Sequence, residues 1–148
     1  MPSALPEQLF ERISALNAPL AATMSVVTSA FPVANLTSAV ISFDYLRNAG
    51  SVTGYPIIGV QLSRDPPNTD PNTVSNWSRV RILDGAAFAA GTIPSYAEAV
   101  TFVPTSAGSQ TLMWPDTIDV AGWFWLQVLA TDFDAGSRGV ITVYAGGA

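Results

Sequence analysis

Side chains able to carry covalent or acid–base chemistry are few in this 148-residue chain. Histidine and cysteine are absent, and all six cations are arginines: Arg12, Arg47, Arg64, Arg79, Arg81 and Arg138. These absences exclude Ser-His-Asp triads, Cys-His dyads, the usual zinc sites, a Walker lysine and a Schiff-base lysine. Carboxylate chemistry is what remains. Asp65 with Asp70, or Asp116 with Asp119, could supply the two acids of a glycoside hydrolase, or a surface cation site. All four lie among turn-forming residues, where Asp is expected to bond the local backbone. Asp132-Phe-Asp134-Ala-Gly136 begins like a calcium loop, but Thr142 stands where such a loop needs glutamate. That segment reads as a turn. No catalytic residue, cofactor or metal is therefore expected.

Trp77, Arg79 and Arg81 are the strongest surface feature. Strand alternation puts them on one side, where an indole and two guanidiniums can stack or pair with carboxylates. These residue types are also enriched at interface hot spots. The plainer reading is an arginine pair bridged to carboxylates of a neighbouring strand. Asn35-Leu-Thr37 and Asn76-Trp-Ser78 match the glycosylation pattern, which carries nothing without a secretion signal. None is seen in the first residues.

The densest apolar run, Trp123 to Leu129, alternates large side chains on both faces, as a strand covered on two sides does. Asp132 to Ser137 follows as a turn and Val140 to Tyr144 as a second strand, which predicts a C-terminal hairpin. Other predicted strands are Thr23–Phe31; Leu36–Leu46, with Ala39, Ile41, Phe43 and Tyr45 on one face; Ile58–Leu62; Trp77–Leu83; Val100–Val103; and Gln110–Trp114. Pro56 reads as the start of a strand or an edge. Asp65 to Thr73 reads as an exposed loop. Leu5, Leu9, Ile13, Leu16 and Leu20 recur at helical spacing, which predicts an amphipathic helix ended by Pro19. The expected architecture is mainly β: an antiparallel β-sandwich of jelly-roll type over residues 21–148, with one N-terminal α-helix or arm over 1–20.

Only 11% of residues are charged and the net charge is −5, against about 25% charged in an average soluble domain. A surface so poor in charge is weakly protected against association, which predicts a chain living inside an assembly. The same bias would also follow from genome composition. A nucleic-acid groove needs a basic stripe and is not expected. Proline and hydroxyl residues within the uncharged run 18–39 argue against a membrane span.

The segment Ile118 to Thr131, followed by Gly139 to Tyr144, resembles the C-terminal hairpin of small β-sandwich proteins of tailed-phage virions. The resemblance covers about thirty residues and leaves the predicted helix unmatched. It implies a structural virion component, a head-decoration or cement protein bound at junctions between capsid subunits, often trimeric and without an active site. On that reading the helix stripe (Leu5, Leu9, Ile13, Leu16) and the Trp77, Arg79, Arg81 face would be the interface. The alternative is a carbohydrate- or receptor-binding sandwich with Trp77 and Trp114 exposed to stack on sugar.

Overall fold

The computed structural model describes residues 12–21, 23–46, 56–83, 96–102, 109–132 and 139–147. In chain order its strands are β1 (Arg12–Pro19), β2 (Ser25–Val26), β3 (Phe31–Pro32), β4 (Ser38–Leu46), β5 (Pro56–Ser63), β6 (Trp77–Arg79) and β7 (Ile82–Leu83). They continue with β8 (Tyr96–Ala97), β9 (Val100–Thr101), β10 (Ser109–Met113), β11 (Ile118–Asp119), β12 (Trp125–Asp132) and β13 (Val140–Gly147). Every pairing among them is antiparallel. No α-helix occurs among the described residues.

Two sheets pack face to face. The first runs β1-β13-β4, with β10 and β11 end to end along the far edge of β4. The second has β2 and β3 end to end on one edge of β12, then β5, then β6 and β9 on the far edge of β5. A short β7–β8 ribbon lies outside both.

Alternation explains the core. Ala39, Ile41, Phe43 and Tyr45 of β4, with Ile141, Val143 and Ala145 of β13, point inward and are buried. They meet Ile58, Val60 and Leu62 of β5 and Leu126, Val128 and Ala130 of β12. Phe43 and Phe102 close edge to face across the sheets, with ring centroids 6.0 Å apart. Each large side chain so buried contributes about 1.5–3 kcal/mol. The second sheet is covered on its outer face as well: Trp125, Leu129 and Thr131 of β12 are buried there. The first sheet leaves Val40, Leu46 and Met113 exposed on its outer face.

Two expectations from sequence are corrected. Arg12–Pro19 is not helical but pairs with β13, Arg12 opposite Ala145 and Pro19 opposite Val140, with register shifts on either side of Ala15. Helical spacing of Ile13 and Leu16 yields here to the backbone hydrogen bonds offered by the free edge of β13, since tertiary pairing outweighs local propensity. Leu5 and Leu9 lie outside the described residues. Nor do β12 and β13 form a hairpin. They belong to opposite sheets, each held by an eight-residue ladder to an earlier strand, β5 and β4 respectively. On their other edges β12 takes β2 and β3, and β13 takes β1, so both edges of each strand are paired within its own sheet.

Candidate functional site

The described residues form a cleft of about 340 Å³ where the free edges of the two sheets approach each other. One wall is the edge strand β6 with its continuation through Arg81. The other is the segment Trp114–Asp119, which leads from β10 into β11. Leu62, Val80, Trp114 and Ile118 supply apolar lining, and Trp123 stands beside them.

Register decides which groups of β6 face the cleft. The Val80 amide donates to the Val60 carbonyl at 2.8 Å, so Ser78 and Val80 turn their backbone groups toward β5. In an antiparallel ladder the alternate residue, Arg79, then turns its amide and carbonyl outward. The Arg79 and Arg81 side chains lie elsewhere. Gly59 sits on the outer face of β5, and a Cβ there would come within 2.8 Å of Arg79 Nη1, so this guanidinium lies over the outer face of the second sheet. Arg81 is exposed and pairs with Glu98 at 3.1 Å. That contact is the plainer arginine–carboxylate bridge and adds little stability at such exposure.

Opposite them, Asp116 and Thr117 line the cleft, and their side chains make no hydrogen bond among the described residues. Asp119 also lines it, but its Oδ1 accepts the Ala121 amide at 3.0 Å. The turn that follows sets Trp123: its amide donates to the Val120 carbonyl at 2.9 Å, with Gly122 at φ 81°. Positive φ at the third turn position is the reason for glycine there. The Arg64 guanidinium stacks on the Trp123 ring, 4.1 Å from its centroid. Trp114 is buried, and its indole N–H is sealed from solvent without a partner.

The loop 64–76 borders this region and is organised by its two aspartates. Asp65 accepts the Asn76 side-chain amide at 3.0 Å and the Ser75 backbone amide at 2.7 Å. These bonds, the Asn76 amide first, hold its carboxyl below the usual range. Asp70 accepts the Asn72 amide at 3.0 Å. Both aspartates thus bond the local loop, as expected of turn residues. Pro66 accepts the Trp125 indole N–H at 3.2 Å, which pins the loop onto the second sheet.

The structure brings Arg79 and Arg81 to the cleft but leaves Trp77 out of its lining. Trp77 is half-buried and donates its indole N–H to the Val74 carbonyl at 3.2 Å. Ile13 and Leu16 fall on β1, on the far edge of the first sheet. Trp114, expected at the surface, is buried, whereas Trp123 is only half-buried. Asp132 is not a turn residue but a buried tie between the sheets: its Oδ2 accepts the Tyr45 hydroxyl at 2.6 Å and the Gly139 amide at 3.1 Å. Sequence reasoning passed over Ser78 and Thr117. Their only signal was proximity to the Arg and Asp residues already singled out.

No protein-family model, curated protein or solved structure matches the chain.

Proposed function

We propose that this protein is a non-enzymatic structural subunit of a virion, a jelly-roll protein that decorates or cements a shell by binding neighbouring subunits. The observation that carries the reading is the strand order. With the separate β7–β8 ribbon left aside, counting β2 with β3, β6 with β9 and β10 with β11 as single positions gives eight strands. In chain order the sheets then run 1-8-3-6 and 2-7-4-5. The pairs 1:8, 2:7, 3:6 and 4:5 are those of one long hairpin, and the pairs 8:3 and 7:4 are made by rolling it up. That is the jelly-roll path, which is recurrent in viral capsid proteins and lectins.

Because a fold alone does not set function, the surface must support the reading too. Val40 and Leu46 of β4 and Met113 of β10 are 40%, 44% and 56% exposed on one sheet face. Asp44 and, on β11 opposite Ser38, Asp119 are the charged side chains among the described residues of that face on β4, β10, β11 and β13. A face that sets three exposed apolar side chains among hydroxyls, with few charges, can be buried against a neighbour at low desolvation cost. Binding there would stabilise the assembled state by mass action.

Light scattering of the purified chain over a concentration series tests this. A trimer or larger closed multiple is expected. A single-chain mass at the highest concentration would remove the self-associating subunit.

A further inference from the structure

We propose that the cleft between the sheet edges is a binding site for a neutral saccharide. This stands apart from the shell reading, because it uses the β6 and Trp114–Asp119 edges and not the outer face of the first sheet.

The site's two walls differ in hydrogen-bonding character. On β6 the outward Arg79 amide and carbonyl offer one donor and one acceptor. Across Trp114–Asp119 the unpaired Asp116 carboxylate only accepts, and the Thr117 hydroxyl does both. Between them lies an apolar floor with Trp123 at its side, held by Arg64. A hydroxyl both donates and accepts, so one sugar ring meets both walls while its C–H face lies on the floor. The volume of about 340 Å³ is within the range of roughly 300–1,000 Å³ typical of small-molecule sites.

Other ligand classes fit less well. No group of three or more metal-ligating side chains occurs among the described residues. A polyanion would meet Asp116 and Asp119, while both guanidiniums on the opposite wall are directed away from the cleft or paired. A purely apolar ligand would leave the free edge groups desolvated and unpaired, which is costly. The Trp114 N–H is sealed in this conformation and is not counted among the ligand contacts.

A printed array of neutral oligosaccharides is the probe, followed by titration of any bound sugar with indole fluorescence as the readout. At least one neutral sugar should bind, and Asp116→Ala should weaken it tenfold or more. Asp116 is exposed and makes no hydrogen bond among the described residues, so this change leaves the fold intact. Asp44→Asn, on the outer face of the first sheet, should leave binding unchanged. An array with no neutral binder, binding confined to sulfated glycans, or equal binding by Asp116→Ala would each overturn the proposal.

Discussion

Asp132 shows how one side chain can tie two layers together. It is fully buried at the end of β12, while the Tyr45 hydroxyl that bonds it comes from β4 in the other sheet. Tyr45→Phe removes a donor from a buried carboxylate and should cost about 1.5–3 kcal/mol. Urea denaturation would show this as a lower midpoint with unchanged slope. The two buried tryptophans offer a paired test. Trp125 donates its indole N–H to Pro66, whereas that of Trp114 has no partner among the described residues. Both replacements by Phe shrink a buried ring, but only Trp125→Phe also deletes a hydrogen bond. It should cost roughly 1 kcal/mol more than Trp114→Phe; equal costs would contradict the assignment of these bonds.

Among the elements, the 64–76 loop and Gly139 at the entry to β13 are held by specific close contacts. Asp65 is held below its usual carboxyl range by the Asn76 and Ser75 amides. A carboxylate depressed in the folded state contributes fully above its unfolded value near 3.9 and loses that contribution as pH falls through its lower folded value. The loop should therefore keep its form through mild acid. The Ser75 amide resonance should titrate with a midpoint below about 3.9; a midpoint above it would refute the bonding described. A Cβ on Gly139 would lie 2.5 Å from both the Leu46 carbonyl and the Tyr45 ring. Gly139→Ala must push backbone apart and should lower stability by at least about 1–3 kcal/mol, measurable as a fall in melting temperature.

At the scale of the whole molecule, the exposed apolar side chains of the first sheet and the rolled strand order belong together in the proposed role. Val40→Asp with Met113→Arg should reduce the mass seen by light scattering while leaving the melting temperature nearly unchanged, because both side chains point to solvent. An oligomer that survives both changes would place the contact elsewhere. The β4 alternation, the β5 inner face and the 65–73 loop were all legible in the sequence, because burial on one face and turn chemistry are written in residue type and spacing. The same holds for the missing catalytic types, since absent side chains need no fold to be absent. The sheet membership of β12 and β13, the strand state of Arg12–Pro19 and the placing of Asp116 across a cleft from the β6 edge were not legible. Each depends on which backbone edge is free when distant segments come together, and a strand's own residues carry only its two faces, not the identity of its neighbours.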